Sequence, residues 1–441
     1  MFIALRGENF DGGDYTAQVL EKGACCAVVT EGSAAAAIDD PRIVAVPDTL
    51  DALKALAACH RLALKSDSEA GRRVAESYGP ELAGGAGAAF EAGRLPVLAI
   101  TGTNGKTTTK ELIRSVLAAK YKVFATKGNF NNEVGVPLSL LSIEPGTEIA
   151  VIEMGASHPE DLVPLLGTAQ PDLGLITNVG KAHLECFGSF EGVQKAKGRM
   201  YDYISTVGGK VFVNADDDLL VSMAAARGLD TLPYGVQYQG CRVLKVSNRH
   251  PYLRLKTPQG VVKTSLVGSY NAPNVLAALA VGEYFGVPFE DAAAAMEAYV
   301  PTNNRSQMQR TKRNTLIVDA YNANPTSMAA ALDNFASFRG FKVAMLGSMG
   351  ELGTGSVEEH AGVLKKAVEM KFDSICLVGE GFRKALELTG FVADYNSPEA
   401  PGLHWYKDSS ALASRCADVK RCIVLVKGSR SQRMELCVPE L

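Results

Sequence analysis

Short apolar runs bounded by glycines and polar residues alternate along this chain with stretches whose apolar residues recur at helical spacing. That succession predicts an α/β protein. The first strands are FIAL at 2–5, AVVT at 27–30 and IVAV at 43–46, with helices over Tyr15–Lys22 and, rich in Ala and Leu, Thr49–Lys65. From Val97 on, VLAIT, KVFAT, IAVIE, LGLIT and KVFVNA are five β-rich runs separated by helical stretches, followed by helices over 273–285 and 289–299. This is the βαβ pattern of a mostly parallel sheet. From Pro301 on, TLIVDA, KVAML, SICLV and CIVLV alternate with helices near 327–337, 357–370, 381–389 and 409–417, a smaller doubly wound unit. Residues 66–94 are rich in Gly, Ala and Ser without a bulky apolar face, and read as a linker or insertion. The expected division is 1–94, 95–300 and 301–441: a small N-terminal α/β domain, a central P-loop-type domain, and a Rossmann-like C-terminal domain. Phe2–Leu5 is already apolar with no lead-in, so the first domain is expected to be incomplete at its start.

Composition narrows the classes. At 441 residues the chain is long enough for about three domains, and 47% apolar with 21% charged residues excludes global disorder. A net charge of −3 gives no electrostatic reason to expect nucleic acid or an anionic membrane as partner. No apolar run approaches the ~18–20 residues of a membrane span, and the first residues do not read as a signal peptide. Nine scattered cysteines without a CxxC pair disfavour a disulfide framework or a zinc site and suit a reducing cytoplasm.

The strongest local signal is VLAITGTNGKTTT at 97–109. A buried-type strand runs into a Gly-rich turn and then a helix with Leu112, Ile113, Val116 and Leu117 on one face. Gly102 and Gly105 let backbone N–H groups close around phosphate oxygens at the positive end of that helix, with Thr103, Asn104 and Thr108 lining the turn. Lys106 would reach the β- and γ-phosphates and the Thr107 hydroxyl would ligate Mg²⁺. The general phosphate-loop motif has four residues between its glycines; here there are two, Thr103 and Asn104.

In this shortened form the turn resembles that of the Mur ligases, ATP-dependent amide-forming enzymes of peptidoglycan synthesis. The similarity continues through GNFNNEVGVP (128–137), EMGASH (153–158), TNVGKAHLECFGSFEGVQKAKG (177–198), DAYNANPTSM (319–328), LGSMGELG (346–353) and VKGSRSQRME (426–435). Within the family, YNANP-SM and ELG resemble the members that add D-alanyl-D-alanine to a UDP-N-acetylmuramoyl-tripeptide. Those two small molecules are the expected partners, and a monomer is expected. The alternatives are a ligase of the same mechanism with another amine donor, a diamino acid or glutamate, or a nucleotide-binding relative without turnover.

The resemblance assigns roles residue by residue. Glu153 and His183 would bind Mg²⁺, two ions in all, with Lys197 as a carbamate helping to hold the second. By residue type alone, Glu153 is a strand-end carboxylate, and His183 a general base or a loop histidine, since Mg²⁺ prefers oxygen. Asn129, Asn131 and Asn132 would grip polar substrate, though Asn-rich loops are also plain turns. Asn271 and Asn274 would lie near the adenine or simply cap a helix. Arg305 would reach nucleotide phosphates, and Asp319 the ribose, with Tyr321 and Asn322 beside the nucleotide. Asn324 would be a substrate contact in the segment that closes over ATP, and Lys427, Ser429 and Arg430 would hold the carboxylate of the incoming dipeptide, with a solvated basic turn as the alternative for those three. Three positions depart from the family pattern: Arg199 for Glu, Tyr270 for His and Asn304 for Gly. Trp405, His158 and His360 are read as packing or surface residues.

Overall fold

The computed structural model describes residues 1–7, 9–65, 68–77, 93–302 and 305–441. Asn304 and most of the 66–94 stretch lie outside them.

At the N-terminus, Phe2–Ile3, Ala27–Thr30 and Ile43–Val46 form a three-stranded parallel sheet in chain order. Its own core is slight, built on Ala4, Val29 and Ala35. The following helix, Thr49–Ala63, starts where the Asp48 side chain accepts the Asp51 N–H, a short polar side chain taking up an orphan helix donor. That helix binds the small sheet to the next unit. Ala57 joins the apolar core of the central sheet, and the buried Arg61 reaches the Ala169 carbonyl (3.0 Å) and Asp172 (3.0 Å).

The central sheet has six parallel strands in the order Asp230–Tyr234, Lys210–Asn214, Leu173–Ile176, Val97–Thr101, Ile149–Glu153, Val123–Ala125. The strands Val97–Thr101 and Ile149–Glu153 are buried throughout, which explains their unbroken apolar sequence. After Val97–Thr101 the chain first builds one flank of the sheet, then the other. The strand order therefore reverses beside that strand, and ligands collect outside the carboxyl end of such a switch point.

The C-terminal sheet runs Gln307–Arg310, Thr315–Asp319, Cys422–Lys427, Phe341–Gly347, Ser374–Val378, Gly402–Tyr406, all parallel except the first. Its helices Pro325–Ala336, Ser356–Glu369, Glu380–Thr389 and Ser409–Ala413 lie where the apolar pattern predicts them.

Three features differ from expectation. Each six-stranded sheet has strands the apolar pattern does not announce: Asp230–Tyr234 is an exposed edge with Pro233, Gln307–Arg310 is a polar edge, and Gly402–Tyr406 begins at a glycine. A three-stranded antiparallel sheet follows the central one, at Arg242–Val243, Arg254–Lys256 and Val261–Lys263. Finally, Glu69–Ser77, inside the stretch read as a linker, is a helix. Among its described side chains Ala70 and Val74 are fully buried in the central core, while Arg73 pairs with Glu69 and donates to the Tyr284 carbonyl. Two small residues one turn apart suffice to dock a short helix but leave little trace in composition.

Candidate active site

The fully buried strand Val97–Thr101 ends in a turn that only glycine fits at two points. Gly102 has φ +139°, and a Cβ there would stand 2.0 Å from Thr177 Oγ1. Gly105 has φ +82° and directly precedes the helix Lys106–Leu117; a Cβ there would meet the Asn274 amide at 2.8 Å. The turn is braced from the neighbouring strand. Thr103 N–H donates to the Asn178 carbonyl (3.0 Å), Asn104 N–H to Asn178 Oδ1 (3.0 Å), and Gly180 N–H to Thr103 Oγ1 (2.9 Å). Lys106 folds over this turn, its Nζ donating to the carbonyls of Gly102 (2.7 Å) and Thr103 (3.2 Å). Burial pushes its ammonium below the usual lysine range, with Glu153 opposing and Arg305 adding to that push.

Glu153 ends its strand on the same edge and is 1% exposed. Its Oε1 accepts from the Thr107 hydroxyl (3.1 Å) and from Asn131 Nδ2 (2.8 Å), while its buried Oε2 accepts no hydrogen bond. The three loop asparagines separate here. Asn131 points to Glu153, Asn132 accepts the Gly135 N–H (2.9 Å) as a local cap, and Asn129 is exposed.

Lys197 is 2% exposed, on the helix Phe190–Thr206, with its Nζ on the Ala156 carbonyl (3.2 Å) and 5.8 Å from the Phe187 ring centre. Burial, then the Lys106 charge, holds it well below the ordinary lysine range. His183 also packs against Phe187, 6.2 Å ring to ring, and adopts a left-handed backbone (φ +52°). Its Nδ1 lies 2.8 Å from Glu351 of the C-terminal unit, and that bond holds the Glu351 carboxyl below its usual value. Arg199 faces away toward Glu160 (2.7 Å), and Lys195 is exposed.

From the C-terminal sheet, Asn324 caps the helix Pro325–Ala336 and donates from Nδ2 to Asn104 Oδ1 (2.8 Å), tying that unit to the turn. Arg305 stacks on Tyr321, its guanidinium carbon 3.8 Å from the ring centre. Asp319 and Lys427, expected at nucleotide and dipeptide respectively, bond each other at 2.5 Å, and Asp319 also accepts the Ser306 N–H (3.2 Å). Ser429 is buried on the Ser348 carbonyl (2.7 Å), whereas Arg430 and Asn322 are exposed. Asn271 and Asn274 are buried and chained together behind the turn: Asn274 donates to Asn271 Oδ1 (3.0 Å) and accepts from the Thr109 hydroxyl (3.1 Å), while Asn271 donates to the Val267 carbonyl (2.9 Å). Tyr270 shares its hydroxyl with Ser306 (3.0 Å).

Sequence reasoning singled out neither Lys110, which lies 3.6 Å from Glu153, nor Glu351 and Asn178 as individual residues. Glu351 and Asn178 sit inside motifs already quoted; Lys110 carries no signal beyond its place one helical turn after Lys106. His360 is buried and accepts the Met349 N–H at Nε2 (2.9 Å), and Trp405 donates to the Gly379 carbonyl (3.0 Å), both as parts of the fold.

A phosphate-type turn, a buried hydroxyl–carboxylate pair and a second parallel sheet closing from the C-terminal side define a ligase core of the Mur type. The Mur ligase middle domain matches residues 100–282, and the domain described as "Mur ligase, glutamate ligase domain" matches 304–430. The UDP-N-acetylmuramoyl-tripeptide--D-alanyl-D-alanine ligase of Bacillus subtilis is 31% identical over 457 aligned positions, spanning 100% of this chain and 90% of its own length. Among solved structures, MurF from Acinetobacter baumannii superposes with a TM-score of 0.80 at 29% identity, covering 99% of this chain and 89% of its own. MurF from Thermotoga maritima in complex with ADP also reaches 0.80, at 25% identity, covering 100% of this chain and 93% of its own. The chain belongs to the Mur ligase family, in the branch of these D-alanyl-D-alanine ligases.

Proposed function

We propose that the chain is an ATP- and Mg²⁺-dependent ligase that joins D-alanyl-D-alanine to the tripeptide carboxylate of a UDP-N-acetylmuramoyl precursor. The carrying observation is the meeting, on one sheet edge, of the Gly102–Gly105 turn, Lys106 and the Thr107–Glu153 pair, with Asn324 reaching in from the C-terminal unit. A carboxylate does not condense with an amine in water until its oxygen becomes a leaving group. Transfer of the ATP γ-phosphoryl to that carboxylate gives an acyl phosphate and ADP; the amine then attacks, and inorganic phosphate departs. The protein's task is positioning and charge neutralisation.

In this reading residues 1–94 receive the UDP end of the substrate, 95–300 bind ATP and 301–441 bring the dipeptide. Lys106 leaves its two loop carbonyls for the β- and γ-phosphates, and the turn's N–H groups hold the rest. Thr107 and Glu153 fit a Mg²⁺ ion: both offer hard oxygen, and Glu153 Oε2 is buried without a hydrogen bond. Among the described residues no three His, Cys, Asp or Glu side chains cluster as a metal cage, as suits an ion that takes further ligands from phosphate and water. Bound there, Mg²⁺ supplies positive charge to the transferring phosphoryl group. His183 and Lys197 flank Phe187 at the place for a second ion. Lys197, held toward its neutral form by burial, is the amine that adds CO₂ and becomes an oxygen ligand. Asn131 orients Glu153, while Asn129 and Asn132 border the substrate. Asn271 and Asn274 support the turn beneath the nucleotide. Closure turns Arg305, Asp319, Tyr321 and Asn322 onto ATP, and Lys427, Ser429 and Arg430 onto the dipeptide carboxylate. The enzyme acts as a monomer in the cytoplasm. Among the described residues no helix is long and apolar enough to cross a membrane.

The test is phosphate release from ATP with the UDP-tripeptide and each amine donor in turn. D-Ala-D-Ala is expected to give turnover where a diamino acid or glutamate gives none. Failure to hydrolyse or retain ATP with Mg²⁺ under every donor would overturn the reading.

A further inference from the structure

Lys110 is fully buried on the helix Lys106–Leu117. Its ammonium donates to the Thr126 carbonyl at 2.6 Å and lies 3.5 Å from the Gly128 carbonyl, 3.1 Å from Glu111 Oε1 and 3.6 Å from Glu153 Oε2. Among the described residues no other cation comes within 4.0 Å of the Glu153 carboxylate. A carboxylate at 1% exposure needs a counter-charge close by, and Lys110 is the one the fold supplies.

We propose that Lys110 is a positioning residue that acts as the resident counter-cation of Glu153 and makes uptake of a divalent ion conditional on nucleotide. The inference rests on the reading of Glu153 as a metal ligand. The Thr126 and Gly128 carbonyls and Glu111 hold the ammonium independently of Glu153, so it does not swing away when an ion arrives. A divalent cation approaching Glu153 therefore meets a fixed positive charge 3.6 Å from Oε2, the oxygen that accepts no hydrogen bond. At such distances, in a site closed to water, that repulsion is worth a tenfold factor or more in binding. A nucleotide seated on the Gly102–Gly105 turn brings several negative charges to the site and reverses the balance. Metal and nucleotide then enter together, each favouring the other by the same factor.

The sign of the effect separates this from a merely structural lysine. Mn²⁺, followed by its electron paramagnetic resonance signal at pH 8, is titrated into the protein with and without saturating ADP. Lys110→Gln keeps a donor toward Thr126 but drops the charge; it is expected to bind Mn²⁺ without nucleotide roughly tenfold more tightly than the parent. The enhancement by ADP should shrink by the same factor. Lys110→Met should move in the same direction, and Lys110→Arg, which keeps the charge, should not tighten. Melting curves identify which variants are folded, and Lys110→Gln decides if Lys110→Met is not. Nucleotide-free Mn²⁺ affinity equal to or weaker than the parent's in a folded charge-neutral variant overturns the proposal. Glu153→Gln is the separate arm: if it binds Mn²⁺ without nucleotide as tightly as the parent does, the metal-ligand reading itself falls, whatever Lys110 does.

Discussion

The central and C-terminal sheets turn their carboxyl edges toward one another, yet they hold their polar residues in different states. On the central edge the groups converge: Thr107, Asn131 and Glu153 meet within hydrogen-bond reach, beside a turn that Lys106 folds over and that Asn178 and Gly180 brace. On the C-terminal edge they are spent on each other or face solvent. Asp319 holds Lys427, Ser429 holds the Ser348 carbonyl, and Arg430 and Asn322 are exposed. On the first edge the turn, Thr107 and Glu153 are already assembled and Lys106 has only to leave its loop carbonyls, whereas on the second Asp319, Lys427 and Ser429 must all exchange partners before they can contribute. That asymmetry is what a ligase needs if nucleotide and acid are to be seated before the amine is admitted.

The sharpest way to break the comparison is to attack what each edge depends on. Lys427 is 1% exposed on its side chain and its charge is matched by Asp319, so Lys427→Met strands a mostly buried carboxylate. Unfolding in denaturant should show a loss of about 3–5 kcal/mol. A loss below 1 kcal/mol would mean that the pair is not a structural element of the second edge. Lys106→Ala, by contrast, should leave stability nearly unchanged and lower ATP turnover by about 10²–10³-fold, the scale for removing one preorganised donor to developing charge. If the two variants exchanged these outcomes, the asymmetry would be wrong.

Lys197→Ala tests the same edge at one remove. Steady-state turnover should fall by about 10–100-fold, the range for a group acting through a metal, and short carboxylic acids should restore part of it. Unchanged turnover would remove the carbamate from the scheme.

The same contrast governs what the amino-acid sequence discloses. The turn is legible because its parts are contiguous: an apolar strand, Gly102, Gly105, Lys106, Thr107 and the helix follow one another directly. Glu153 is legible because it closes an unbroken apolar run. The pairing of Asp319 with Lys427 joins residues 108 apart, and His183 reaches Glu351 across units; neither separation leaves a local pattern. Lys110 escapes for another reason. A lysine between Thr109 and Glu111 reads as a solvated helix residue until the Thr126 and Gly128 carbonyls are seen to enclose it. Edge strands such as Gln307–Arg310 are polar because one side lacks a neighbour, so an apolar pattern cannot announce them.

The gentlest test concerns the link between the two edges. Asn324 serves twice: its Oδ1 accepts the Ser327 N–H (2.9 Å) at the start of the helix Pro325–Ala336, and its Nδ2 donates to Asn104 Oδ1 (2.8 Å) on the turn. Loss of the cap costs about 1 kcal/mol, and loss of a single neutral hydrogen bond between units about as much. Asn324→Ser retains an oxygen for the cap but is too short for the bridge, so it should lose about 1 kcal/mol, the bridge alone. Asn324→Ala should lose about 1 kcal/mol more than the serine variant. Both should raise the KM for ATP severalfold by loosening the C-terminal unit over the turn. If Asn324→Ser left the KM unchanged, the Asn104 contact would be incidental to this conformation, and closure would have to be governed by the His183–Glu351 pair instead.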